Sequence, residues 1–221
     1  MGALPDLAND REQTHRAPPD SLYLAGSGSF AVEVAEWARD AGWNVIGLIE
    51  IVDVSRVGSV VFGLPVIAAG DPTGEDIPTV VALGGSRSER WAQLGPHGWE
   101  AATIVHPTAH VSPSAKLAPG CIVGPAAVIG AETVIGAHTL VSRGALIGHH
   151  SHVGDFVSVL PGANIGGHAE IGDRVALGMS SVIVNDIKVG PDTTVAAGAV
   201  VLRDTRDRVR VQGVPAREYE R

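Results

Sequence analysis

From Val111 to Val201 an aliphatic residue returns at every sixth position without a slip in register. The series runs Val111, Leu117, Val123, Ile129, Ile135, Val141, Ile147, Val153, Val159, Ile165, Ile171, Leu177, Ile183, Val189, Val195 and Val201. The next residue is often glycine (Gly124, Gly130, Gly136, Gly148, Gly154, Gly166, Gly172, Gly178, Gly190), and the residue four on is usually small, as at Cys121, Ala127, Thr133, Thr139 and Ser151. A period of six fits neither an amphipathic helix nor an alternating strand. It fits a left-handed parallel β-helix of hexapeptide repeats, three faces to a triangular coil. The aliphatic residue is expected to point inward, the small one to pack at the turn, and the glycine to permit a tight corner. Sixteen hexads make slightly more than five coils, so residues eighteen apart stack on successive coils.

Upstream, the pattern changes to short apolar runs separated by Gly-rich turns and helical stretches. Leu22 to Ala25, Val45 to Ile49 and Thr79 to Leu83 read as strands, with Gly63-Leu64-Pro65-Val66 as a turn into a short fourth strand and Ala101 to Val105 as the last strand of this unit. Val32 to Arg39 and Arg87 to Leu94 read as helices. Strands alternating with helices predict a small Rossmann-like α/β domain with a parallel sheet, whose strand C-termini form a crevice. The expected organisation is a disordered tail at 1–20, the Rossmann-like domain at 21–105, the β-helix at 106–205 and a C-terminal tail at 206–221.

Composition adds exclusions. A formal charge of -8 argues against a nucleic-acid partner, which favours a basic surface. No run is long enough for a membrane span and the N-terminus lacks an apolar signal core, so a cytoplasmic protein is the expectation. The single cysteine, Cys121, occupies a small-residue slot and is expected to be packed, not reactive.

The candidate chemistry falls in two places. Gly26-Ser27-Gly28-Ser29-Phe30-Ala31 follows the first strand and opens a helix, so Ser27, Gly28 and Ser29 can meet a phosphate or ribose. Glu50, ending the second strand, and Gly84, ending the strand at Leu83, converge on the same edge. In the repeat, His149, His150 and His152 form the densest histidine cluster. His149 stacks between Ala131 and Gly167, whose small side chains leave room around its ring. His150 stacks with Glu132, His168 and Asp186. A histidine with room and access suits a general base. Adjacent histidines are expected to diverge at a turn, so no metal site is predicted.

A Gly-rich βαβ unit followed directly by a hexapeptide β-helix resembles the bacterial nucleotide-sugar acetyltransferases, the sialic acid O-acetyltransferase and the bacillosamine and perosamine N-acetyltransferase type. The residues that carry the resemblance are Gly26 to Val34, Gly63 to Val66, Ile147-Gly148-His149, Val153 to Val159, Pro161-Gly162-Ala163 and Gly213-Val214-Pro215-Ala216. The resemblance implies a homotrimer with active sites between subunits, acetyl-CoA or another acyl-CoA along the coils, and a nucleotide sugar in the N-terminal crevice. It places His149 on the catalytic base, Ser158, Gly167, Met179 and Ala197 on CoA contacts, and Ser27, Gly28, Ser29, Glu50 and Gly84 at the nucleotide-sugar crevice. Transfer to a sugar amine or hydroxyl would follow.

Three positions depart from the family pattern. His150 stands where an acidic residue usually orients the base, Ser158 where a histidine is frequent, and Val32 where a basic residue is common. Asp155 or the Glu132 column is the expected substitute for the missing acid. The competing reading is a non-catalytic nucleotide-sugar-binding or assembly subunit.

Overall fold

A computed structural model of the chain describes residues 21–70 and 77–220. The expected tail at 1–20 lies outside the described residues. Strands β1 (Ser21–Ala25), β2 (Asn44–Glu50), β3 (Val60–Val61), β4 (Leu64–Ala68) and β5 (Thr79–Val81) form one sheet in the order β3-β4-β2-β1-β5. All neighbours are parallel except β3, which makes a hairpin with β4. Helix α1 (Ser29–Asp40) buries Ala31, Val34, Ala35 and Ala38 against it, the three-and-four spacing of one helix face. Helix α2 (Arg87–Leu94) follows β5.

The segment Ala101 to Val105 does not complete this sheet. Ala101 makes a single bridge to Thr79, whereas Ile104 and Val105 pair with Ile122 and Val123 and so form the first rung of the β-helix. The aliphatic run predicted a strand correctly, but its partner lies downstream.

Seventeen two-residue strands, Ile104–Val105 through Val200–Val201, then wind around three faces. The first face holds Ile122–Val123, Leu140–Val141 and Ser158–Val159, the second Val128–Ile129, Leu146–Ile147 and Asn164–Ile165, and the third Val134–Ile135, His152–Val153 and Glu170–Ile171. Every pairing is parallel with a step of eighteen, such as Val134 with His152 and Leu146 with Asn164. The periodic residues from Val123 to Val201 are buried, and Val111 and Leu117 in the first coil are half-buried. Buried hydroxyls of the small-residue slot are satisfied across the corner. Thr133, Thr139 and Ser151 donate to the Gly148, Gly154 and Gly166 carbonyls at 2.8, 2.8 and 2.9 Å. Cys121 is fully buried, and burial pushes its thiol up to about 12.

The repeat glycines have a different job from the one expected. The left-handed backbone falls two residues later, at His138, His150, Phe156 and His168, with φ between 55° and 57°. A Cβ at Gly136 would instead lie 2.4 Å from the Gly154 carbonyl carbon, and one at Gly178 2.4 Å from the Ala197 nitrogen. Glycine is there because successive coils approach too closely for any side chain.

The segment 206–221, read as a tail, contains a hairpin of Val209–Gly213 and Ala216–Glu220 whose first strand extends the first face beside Thr194 and Val195. No helix among the described residues is long and apolar enough to cross a membrane.

The first face is covered by the N-terminal domain. Ile122 and Leu140 point outward from it and are buried in a cluster with Trp37, Val34 and Val80. His138, 7% exposed, lies between Trp91 of α2 and Phe156, with ring centroids 4.2 and 4.9 Å away. Burial, helped by the Arg87 charge and opposed by Asp155, pushes its imidazole down to about 4 from 6.5. Between those values the unfolded chain binds a proton that the folded chain refuses. The stability contribution is therefore whole above pH 6.5, falls as pH drops through the window and is lost below pH 4, a change of about 3 kcal/mol. Denaturant titrations across this window should show that fall in the native chain and a flatter profile in His138→Asn, which tolerates the left-handed backbone. Parallel profiles would place the proton uptake elsewhere.

Candidate active site

The N-terminal crevice forms where β1, β2 and β5 end. Gly26 turns the chain away from β1 with φ 122°, and a Cβ there would lie 2.8 Å from the Leu83 side chain, so the β1 and β5 turns are in contact. Gly28 caps α1 without any side-chain hydrogen bond to the first turn, leaving the helix N-terminus open to an anion. Ser27 donates to Glu50 Oε2, and both residues are buried. Glu50 Oε1 accepts from the Val52 and Asp53 amides at 2.6 and 2.9 Å. Burial raises the Glu50 pKa, but the Ser27 hydroxyl and these amides outweigh it and hold the carboxyl below its ordinary value. Glu50 was expected to face a ligand. Here it also ties the Gly-rich turn to the segment after β2. Ser29 and Gly84 are exposed at the rim.

His149 and His150 occupy the corner between the second and third faces, after Leu146–Ile147 and before His152–Val153. Both are exposed. Gly167, one coil on, would place a Cβ 3.0 Å from the His149 ring, so the absence of a side chain there makes room for the imidazole. The Gly167 coil is joined to this one by the His168 amide, which donates to the His149 carbonyl at 2.9 Å. The two adjacent histidines do not diverge as expected. The left-handed φ of 57° at His150 turns its side chain back, and the two Nδ1 atoms lie 3.1 Å apart. His168 stacks on His150 with centroids 4.9 Å apart and meets the His149 ring edge-on at 5.1 Å.

The other predicted residues do not join this corner within one chain. Met179 and Ala197 sit together at the corner between the first and second faces, on successive coils linked by the Gly198 amide and the Met179 carbonyl at 2.9 Å. Ser158 lies on the first face, 7% exposed, and accepts from Arg87 Nη1 at 3.0 Å. Asp155 is at the corner between the third and first faces, where its Oδ1 accepts from the Ala137 amide at 2.7 Å. It is therefore no substitute for the missing acid beside His149 in the same chain. Sequence reasoning gave no role to Arg87. A helix-opening arginine carries no local mark of burial, and only the docking of α2 onto the first face creates it.

The comparisons agree with this architecture. A family model described as GMPPB C-terminal domain matches residues 103–206. No curated protein matches by sequence. A histidine-to-alanine mutant of GDP-perosamine N-acetyltransferase from Caulobacter crescentus, in complex with CoA and GDP-perosamine, superposes with a TM-score of 0.84 at 27% identity, covering 91% of this chain and 97% of that one. The acetyltransferase domain of PglB from Neisseria gonorrhoeae, in complex with acetyl coenzyme A, gives 0.82 at 29% identity over 90% and 99%. Over about nine-tenths of its length the chain is thus similar to hexapeptide-repeat nucleotide-sugar N-acetyltransferases. WeeI from Acinetobacter baumannii, at 21% identity and a TM-score of 0.80 over 90% and 99%, shares the fold. The chain departs from the pattern of that resemblance at one point in this corner. The residue after His149 is a second imidazole whose nitrogen faces the first, where the resemblance leads one to expect a carboxylate.

Proposed function

We propose that the protein transfers an acetyl group from acetyl-CoA to an amino group of a nucleotide-linked sugar, with His149 as general base. The observation that carries this reading is the His149 corner, where an exposed imidazole has Gly167 clearing space beside its ring and His150 holding Nδ1. With the Nδ1 proton of His149 donated to His150 Nδ1, the Nε2 lone pair is left to accept a proton. The sugar nitrogen attacks the thioester carbonyl, the N–C bond forms and the C–S bond breaks. The amine proton passes to His149 Nε2 and then to the departing thiolate. His150, accepting from the imidazolium, takes the positioning part of the usual carboxylate but brings no negative charge. A hydroxyl acceptor would use the same steps.

The nucleotide diphosphate would meet the open N-terminus of α1 at Gly28 and Ser29, with Ser27, Glu50 and Gly84 around it. Acetyl-CoA would contact Gly167, Met179 and Ala197. The two corners that carry these residues flank the second face, whose outward residues include Val128 and Leu146, 37% and 41% exposed. Threefold packing through that apolar face would bring the His149 corner of one copy toward the Met179 corner of the next, which is the support for a homotrimer.

The test is thiol release from acetyl-CoA with the purified chain and a panel of nucleotide-linked and free amino sugars, with products identified by mass. Turnover should appear with nucleotide-linked acceptors only. Nucleotide-sugar binding with no thiol release from any acceptor would overturn the transferase reading in favour of a binding or assembly subunit.

A further inference from the structure

The corner that carries His149 holds three imidazoles, and the proposed reaction uses two. His149, His150 and His168 present ligating nitrogens that all lie within 4.8 Å of one another, and all three side chains are exposed. We propose that these three side chains of a single chain bind one divalent transition-metal ion of the zinc class, and that the ion shuts off acetyl transfer by occupying His149. The second part rests on His149 being the base, whereas the first does not.

Four features lead to a metal. A tetrahedral ion about 2.0–2.1 Å from each nitrogen needs its donors about 3.3 Å apart, and His149 Nδ1 and His150 Nδ1 are already at 3.1 Å. In the metal-free corner one proton bridges these two nitrogens, and a cation that accepts both lone pairs can replace it. The backbone holds the ligands in place. His150 and His168 both have φ 57° in one corner column, and the His168 amide is bonded to the His149 carbonyl at 2.9 Å. Closing the third ligand therefore needs only rotation of an exposed ring within its rotamers. The surrounding charge favours a cation. The same column continues with Glu132 one coil before His150 and Asp186 one coil after His168. The donor set also decides the class of ion, since three imidazoles without thiolate or direct carboxylate suit zinc, nickel or copper and not calcium or magnesium. Three ligands leave a fourth position for water at an exposed corner.

Zinc bound at His149 Nδ1 leaves the ring's one proton on Nε2, so the Nε2 lone pair that would take the substrate proton is lost and chelatable metal becomes an inhibitor of the proposed reaction. The usual acid at position 150 would have kept an anion beside the base. A second imidazole, with His168 stacked on it, makes the corner a ligand set instead.

The experiment is zinc binding to the chelator-stripped full chain by calorimetry, with cobalt absorption as a second readout. Expected is one zinc per chain, with affinity lowered at least about tenfold in His168→Asn, which keeps the left-handed backbone, and unchanged in His152→Asn on the neighbouring face. No binding by the native chain, or equal binding by His168→Asn, overturns the site. Thiol release should fall on adding zinc and recover with EDTA. Binding without inhibition would leave the site standing, overturn the shut-off and count against His149 as the base. Inhibition that persists in His168→Asn would place the inhibitory ion elsewhere.

Discussion

Replacing His149 with alanine is expected to lower turnover by two to four orders of magnitude while the fold survives. That range is what a positioned general base contributes, equivalent to about 3–5 kcal/mol of transition-state stabilisation. The expected selectivity of the loss comes from the repeat. Position 149 is exposed and the coil before it already carries alanine in the same column, at Ala131. The local backbone bonds, from the His168 amide to the His149 carbonyl and from the His150 amide to the Ala131 carbonyl, involve no His149 side-chain atom. Thermal melting should therefore move little, as for exposed substitutions generally. Initial rates of thiol release over a range of acetyl-CoA should show the change in kcat, with KM for acetyl-CoA near the native value. His150→Asn should cost less, because the base remains and only its Nδ1 partner is weakened. Native turnover in His149→Ala would remove histidine from the proton path and return the question to the crevice.

What the sequence revealed divides along the repeat. An aliphatic position with period six is enforced by a core only one side chain wide, so a single misplaced polar residue would be buried, and the signal survives in one sequence. The same arithmetic placed His149 beside Gly167 and His150 on His168, because an eighteen-residue step is a physical distance in a β-helix. Features set by backbone handedness were not legible. The left-handed corner falls on histidine, aspartate, serine or phenylalanine as readily as on glycine, so the pattern of glycines pointed to the wrong residue for it. The approach of His150 to His149 follows from that corner and was missed for the same reason. Contacts between domains were also hidden. Ile104 and Val105 read as the end of the α/β unit because their partners, Ile122 and Val123, cannot be inferred from local pattern. Ser158 was expected at a CoA contact, yet it lies beneath a side chain seventy-one residues away in sequence.

That side chain, Arg87, supports the second large effect. Arg87→Met is expected to destabilise the protein by about 3–5 kcal/mol, with the loss concentrated at the seam between the N-terminal domain and the β-helix. Five acceptors surround the guanidinium. Nε donates to the His138 carbonyl at 3.1 Å, Nη1 to Ser158 Oγ at 3.0 Å and the Leu83 carbonyl at 3.4 Å, and Nη2 to the Phe156 and Val157 carbonyls at 2.9 and 2.6 Å. No carboxylate is among them. Burial pushes the Arg87 pKa down to about 10, so the cation is retained at neutral pH and held by neutral dipoles. Methionine fills much of the volume and removes the desolvation cost, but it leaves the Phe156 carbonyl and the Ser158 hydroxyl without the arginine donor, while the Val157 carbonyl keeps the Leu140 amide at 2.9 Å. Hydrogen bonds to a charged group contribute about 1.5–3 kcal/mol each, and stranding a buried acceptor adds to the loss. The balance therefore favours arginine. Lysine, with three donors on one atom, should fall between. Denaturant unfolding with hydrogen exchange at Phe156 to Ser158 separates a loosened seam from general unfolding. Equal or greater stability of Arg87→Met would mean that the buried charge costs more than its five bonds return.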